Sequence, residues 1–67
     1  MNEMNYVKYK RMKLGWSQDK LAEKSGVSRS TIHVIEENGE IDVKLSTLKA
    51  LAKALKCSLI TLVKQYM

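Results

Sequence analysis

Few side chains in this 67-residue sequence have types and spacings that could do chemistry, and these suit binding better than catalysis. His33 has no plausible nucleophile beside it, and the sequence holds no glycine-rich phosphate loop and no recognisable carboxylate pair. His33 and Cys57 are the only soft metal ligands, whereas a structural zinc ion needs four. We therefore expect no enzyme activity, no metal ion and no cofactor.

The segment from Gln18 to Glu37 has the pattern of two short helices that cross at a sharp turn, with a polar outer face. Ala22 is small enough to let two helices approach closely, and Gly26 suits a tight turn that needs positive φ. The apolar inner face is formed by Leu21, Ala22, Val27, Ile32 and Ile35. Two helices in this arrangement are typical of DNA-reading proteins, so the pattern predicts a DNA-contacting surface.

Five helices must position this segment, because apolar residues recur at spacings of three and four throughout the chain. We expect helices over about residues 2–14, 18–25, 29–37, 45–55 and 59–65, with Gly15 ending the first and Asn38-Gly39 the third. Expected side-chain caps are Ser17, Ser28, Ser58 and either Asp42 or a neighbour. Expected inward positions outside the central segment are Met4, Val7, Arg11, Leu14, Trp16, Leu45, Leu48, Leu51, Ala52, Leu55, Cys57, Leu59, Leu62 and Val63. No strand pattern competes, so the predicted fold class is a compact all-α domain over residues 1–67.

The charge distribution limits where a polyanion could bind. The net charge is +5 and the pI is near 9.5, which favours a polyanionic partner. Residues 1–24 carry six basic and three acidic side chains, residues 25–45 carry two and four, and residues 46–67 carry four and none. Any nucleic-acid surface should therefore avoid the acidic middle. One cysteine and no apolar membrane span favour the cytoplasm.

Two segments, RMKLGWSQDKLAEKSGVSRSTI and LSTLKALAKALKCSL, resemble the lambda-repressor-like, or XRE-type, helix-turn-helix family of phage and bacterial regulators. The resemblance covers nearly the whole chain. It implies that the third helix enters the major groove of double-stranded DNA and that the second helix crosses the backbone. It also implies that two monomers bind half-sites about 34 Å apart.

The resemblance implies linking roles for three residues. Gln18 matches the family glutamine that begins the second helix, touches a phosphate and braces the third, or recognition, helix. Arg11 and Glu36 match an ion pair that ties the first helix to the end of the recognition helix. This pair could be solvated and worth little, or buried; the position of Arg11 on an apolar stripe favours the buried form.

Residues Ser28, Arg29, Ser30 and Thr31 match the exposed amino end of the recognition helix. Arg29 could donate two parallel hydrogen bonds to the O6 and N7 atoms of guanine, worth about 1–3 kcal/mol of discrimination, or it could contact a phosphate. Ser28 is expected to contact a phosphate. Ser30 could bond to any base edge, whereas the Thr31 methyl group could pack against the second helix, so we favour Ser30 as the base contact.

Three further positions complete the expected DNA contacts. Val34 could touch a thymine methyl group, or it could be a partly buried extension of the inner face. His33 faces outward and could meet a phosphate or a base, although a surface histidine without function is the commoner case. Lys44 and the backbone amides that begin the fourth helix could hold a phosphate.

Two departures from the family pattern follow the recognition helix. The segment IEENG holds one residue more between isoleucine and glycine than the commonest pattern. Glu40, Ile41 and Asp42 then stand where relatives place basic or polar phosphate contacts. Carboxylates near phosphates cost affinity, so it stays open whether this acidic loop contacts DNA.

The carboxy-terminal stretch SLITLVKQYM leaves Ile60, Tyr66 and Met67 outside the predicted inner face. Exposed apolar patches often mark partner surfaces, and one helix-turn-helix module buries too little DNA surface for high affinity alone. These residues therefore predict a homodimer contact. Frayed terminal residues are the alternative.

We expect a sequence-specific DNA-binding regulator, a repressor, that acts as a homodimer on a palindromic operator. The alternative is a protein-interaction module of the same fold, antitoxin-like or an adaptor, which the acidic loop supports. A basic membrane binder is disfavoured, because the helices have core-like apolar stripes with both signs of charge outside.

Overall fold

The computed structural model describes residues 5–38 and 43–64, and these form five α-helices without a strand among them. The helices are α1 (Tyr6–Lys13), α2 (Gln18–Ser25), α3 (Arg29–Asn38), α4 (Leu45–Leu55) and α5 (Leu59–Lys64). The predicted all-α, five-helix fold is therefore confirmed. No helix in the described ranges has the length and apolar character needed to cross a membrane.

Polar side chains begin four of the five helices. Asn5, Ser17, Ser28 and Ser58 each accept a hydrogen bond from a backbone N–H group in the first turn of α1, α2, α3 and α5, at 2.8–3.2 Å. The three predicted serine caps are thus present. Asn5 corrects the predicted start of the first helix, because its side chain caps α1 at Tyr6 rather than at residue 2.

Among the described residues, no side chain caps the start of α4 in this way. Lys44 is its N-cap residue and makes no side-chain capping bond. Asp42, the other candidate, lies outside the described residues, as does Gly39 after α3.

Left-handed backbone conformations lie at the ends of three of the helices. Gly15 directly follows the C-cap residue of α1 with φ of 73°, so its predicted place at the end of the first helix is confirmed. Gly26 caps the end of α2 with φ of 78°, so the predicted positive-φ bend is confirmed. Lys56 caps the end of α4 with φ of 58° and is the one residue other than glycine with positive φ in the described chain. A side chain in this conformation is strained, because Cβ lies close to the following carbonyl oxygen.

The core lies among all five helices, and α4 supplies the largest share of it. Its buried apolar residues are Val7, Leu21, Ile32, Ile35, Leu48, Leu51, Ala52, Leu55 and Leu62. Trp16, Ala22, Val27, Cys57 and Leu59 are partly buried against them. These placements agree with the predicted inner faces.

Two predicted inward positions are wrong. Leu14 and Leu45 are exposed. Leu14 follows the last residue of α1, and Leu45 is the first residue of α4. At these helix ends the row of apolar side chains extends beyond the part of the helix that packs against the core. Met4 and the side chain of Val63 lie outside the described part of the chain.

The strained cap at Lys56 can be tested directly. Lys56→Gly should raise the free energy of unfolding by up to about 1 kcal/mol, because glycine adopts positive φ without a Cβ clash. Lys49→Gly is the matched control: it places glycine at an exposed position inside α4 and should lower stability by roughly 0.5–1 kcal/mol. Urea denaturation followed by circular dichroism measures both. A Lys56→Gly variant no more stable than the wild type would contradict the strain.

Candidate nucleic-acid interface

A buried ion pair joins α1 to the carboxy-terminal half of α3. Arg11 Nε lies 2.8 Å from Glu36 Oε2 and Arg11 Nη2 lies 3.0 Å from Glu36 Oε1. The two side chains are 11% and 1% exposed. Of the two alternatives for this pair, the structure has the buried one, with two parallel hydrogen bonds of the strong bidentate type.

Two further hydrogen bonds extend the pair to the start of α2. Arg11 Nη1 donates to the Trp16 carbonyl oxygen at 2.7 Å, and Gln18 Nε2 donates to Glu36 Oε1 at 3.1 Å. We call Arg11, Trp16, Gln18 and Glu36 the bracing cluster. The hydrogen bonds that Arg11 donates to the Glu36 carboxylate hold the pKa of Arg11 above its ordinary value, although burial acts in the opposite direction. The Arg11 guanidinium therefore stays charged. The hydrogen bond from Gln18 to Glu36 links the start of α2 to α3, which is the contact expected of a bracing residue.

Asn5 provides a second link between α1 and α3 that the sequence analysis missed. While Asn5 Oδ1 caps α1, Asn5 Nδ2 donates to the Ile35 carbonyl oxygen at 3.2 Å. Asparagine is a strongly preferred N-cap residue, so its place directly before Tyr6 was the available signal. Because the apolar spacing that begins at Met4 predicted a helix from about residue 2, Asn5 was placed inside that helix and not at its start.

Hydroxyl groups cluster at the amino end of α3. Ser28 Oγ accepts from the Thr31 amide at 3.2 Å, donates to Thr31 Oγ1 at 2.9 Å and lies 3.3 Å from Ser30 Oγ. All three residues are exposed. The exposure of Thr31 does not favour the predicted packing of its methyl group against α2. This end of α3 thus presents three hydroxyl groups to solvent.

Arg29 is the first residue of α3, and its side chain pairs with α2. Arg29 Nε lies 3.1 Å from Asp19 Oδ1, and the two side chains are 65% and 79% exposed. The sequence analysis did not predict this contact, because it depends on how two helices cross. The guanidinium remains open to a ligand in solvent.

The remaining predicted contacts lie on exposed surface. His33 and Val34 are exposed on α3; Val34 is 38% exposed, so both a contact with DNA and a partly buried extension of the inner face stay open for it. Lys44 is exposed at the start of α4. The structure thus brings Gln18, Ser28, Arg29 and Ser30 to the neighbouring starts of α2 and α3, whereas Glu40, Ile41 and Asp42 lie outside the described residues.

The predicted dimer residues are only partly described. Ile60 is 70% exposed on α5, and Tyr66 and Met67 lie outside the described residues. Among residues 5–38 and 43–64, no group of three or more histidine, cysteine, aspartate or glutamate side chains could hold a metal ion.

Comparisons with known proteins agree with this architecture. A family model described as "Helix-turn-helix" matches residues 7–62. One similar solved structure is the crystal structure, in complex with DNA, of SinR, described as the master regulator for biofilm formation. Its sequence is 32% identical to this chain, and the two structures superpose with a TM-score of 0.82. The match covers 88% of this chain and 94% of that one. No curated protein sequence matches the chain significantly.

The bracing cluster predicts a large asymmetry between buried and exposed ion pairs. Glu36→Gln should lower the free energy of unfolding by about 3–5 kcal/mol, because it leaves the buried Arg11 charge without its partner. Glu23→Gln removes the exposed partner of Lys20, which lies 3.8 Å away, and should change stability by less than about 0.5 kcal/mol.

A double variant keeps this test informative if the single variant unfolds. Arg11→Met with Glu36→Leu removes both buried charges and should be more stable than Glu36→Gln alone. Thermal and urea denaturation measure all variants. A Glu36→Gln variant as stable as Glu23→Gln would show that the pair does not hold α1 and α3 together.

Proposed function

The chain belongs to the lambda-repressor-like (XRE-type) helix-turn-helix family, and we propose that it is a DNA-binding transcription regulator that recognises a specific sequence. The observation that carries the proposal is the exposed polar amino end of α3 on a helix braced at its other end by buried hydrogen bonds. A rigidly held helix of this kind can enter the major groove with little loss of conformational entropy. SinR, which is 32% identical to this chain and was solved in complex with DNA, supports DNA binding by this chain.

Contacts in this proposal divide into those that read bases and those that hold the backbone. Arg29 reads a guanine, Ser30 contacts a neighbouring base edge, and Val34 touches a thymine methyl group one turn further along α3. Phosphates are contacted by Gln18, Ser28, Thr31, His33 and Lys44. The net charge of +5 favours the approach to a polyanion. The proposal assigns the chain no catalysed reaction.

We further propose that the regulator is a cytoplasmic repressor and acts as a homodimer on a palindromic operator. A single module buries too little DNA surface for tight binding, whereas two modules contact two half-sites at once. The apolar side chain of Ile60 on α5 supports a dimer contact there, and we extend that contact to Tyr66 and Met67. A dimer bound across a promoter would exclude polymerase, which is the simplest form of repression.

Selection of bound duplexes from a random pool tests the proposed function. A recovered palindrome with half-sites about 34 Å apart would establish sequence reading and dimeric binding together. Affinity for that palindrome should fall steeply with salt and yet exceed affinity for unrelated DNA by at least about 10³-fold. A protein-interaction module would recover no preferred sequence and show only weak, nonspecific binding.

Arg29→Ala tests the base-reading role. If Arg29 reads guanine, this variant should lose about 1–3 kcal/mol of binding free energy and its preference at one base position in each half-site. Affinity for duplexes substituted at each position measures this. Equal weakening on every sequence, with a salt slope reduced by about one, would show a phosphate contact instead.

Ile60→Gln tests the dimer. Because Ile60 is 70% exposed, this variant should keep its stability while it sediments as monomer at concentrations where the wild type is dimeric. Leu45→Gln is the matched control, since Leu45 is also an exposed leucine-sized side chain but lies at the start of α4. Sedimentation velocity at tens of micromolar measures both. A wild type that stays monomeric with and without operator would contradict the dimer.

A further inference from the structure

The contact between Asp19 and Arg29 serves no evident structural purpose. Both side chains are largely exposed. An exposed ion pair changes the equilibrium constant between its paired and unpaired forms by no more than about five-fold. The core and the bracing cluster already fix α2 against α3. The pair thus contributes little to stability, and its exposed position beside the proposed recognition surface suits a role in DNA recognition.

The geometry of the pair leaves the recognition end of Arg29 available. A guanidinium has five N–H donors in one plane, and the contact to Asp19 uses Nε at 3.1 Å. The terminal nitrogens Nη1 and Nη2 keep N–H groups directed away from Asp19. These are the donors that would span the O6 and N7 atoms of a guanine.

We propose that Asp19 is a positioning residue that orients the Arg29 guanidinium for guanine, an inference that rests on the proposed function. A free arginine side chain must lose rotamer freedom on binding, and a carboxylate that already holds Nε reduces that loss. The two helix ends also contribute. Asp19 is stabilised by the positive end of α2, whereas Arg29 lies at the positive end of α3 and benefits from a neighbouring anion.

The same carboxylate weakens binding to DNA of the wrong sequence. Asp19 lies beside the proposed phosphate contact of Gln18, and a carboxylate there repels the backbone of every duplex alike. Only a correctly placed guanine compensates for this repulsion, because it accepts hydrogen bonds from the terminal nitrogens of the Arg29 guanidinium that Asp19 orients. Asp19 thus acts in opposite directions on specific and nonspecific affinity, which increases the ratio between them.

Asp19→Ala provides the test, with Glu23→Ala as its matched control. Both variants remove one exposed carboxylate from α2, but Glu23 pairs with Lys20 rather than with Arg29. Asp19→Ala should bind the selected duplex more weakly, by at most about five-fold, bind unrelated duplex equally or more tightly, and lose preference at the guanine position. Glu23→Ala should not weaken binding to either duplex. Asp19→Glu, which retains the carboxylate, should restore part of the guanine preference.

A double-mutant cycle separates positioning from a general effect of charge or folding. In an Arg29→Ala background, Asp19→Ala should leave the affinity ratio between selected and unrelated duplex unchanged. An Asp19→Ala variant that binds the selected duplex as well as Glu23→Ala does would overturn the role of Asp19 while leaving the proposed function intact. A wild type that selects no sequence would overturn both.

Discussion

The buried carboxylate of Glu36 constrains the arrangement of the first three helices. A charge removed from water destabilises the fold unless it is paired and hydrogen-bonded on all sides. The donors that satisfy Glu36 come from two other helices: Nε and Nη2 of Arg11 in α1, and Nε2 of Gln18 in α2. A shift of any of these helices would lose a bond to a buried charge. The angle between α2 and α3 is therefore fixed by electrostatics as well as by packing.

The two ends of α3 have different tasks. Its carboxy-terminal half is held by the bracing cluster and by Asn5, which donates to the Ile35 carbonyl oxygen. Its amino end carries exposed hydroxyl groups and the Arg29 guanidinium. Stability and the proposed recognition thus rest on different residues of one ten-residue helix. This separation suits a helix that, in the proposed function, stays rigid while it enters a groove.

Local chemistry explains what the sequence predicted well. Serine caps and a left-handed glycine depend only on neighbouring residues, so Ser17, Ser28 and Gly26 were assigned correctly. Apolar spacing located the core, but it cannot show where a stripe leaves the core, which is why Leu14 and Leu45 were misplaced. The DNA contacts themselves stay predictions.

Contacts between helices were predictable only where a family pattern supplied them. The pairing of Arg11 with Glu36 was expected from the resemblance, whereas that of Asp19 with Arg29 was not. Asp19 and Arg29 are ten positions apart in the sequence, and no spacing rule relates the starts of two different helices. Their approach follows from the crossing of α2 and α3, which is a property of the folded chain.

The exposure of the α3 surface has an evolutionary consequence. Ser30, His33 and Val34 contribute no buried side chain, so substitutions there should cost little stability. Under the proposed function, single substitutions at these positions would change the preferred DNA sequence while the fold persists. Gln18 lacks that freedom, because the side chain proposed to hold the phosphate backbone also satisfies the buried Glu36. If both proposed roles hold, duplicated copies of such a gene would acquire new target sites readily, while each copy kept the same orientation on DNA.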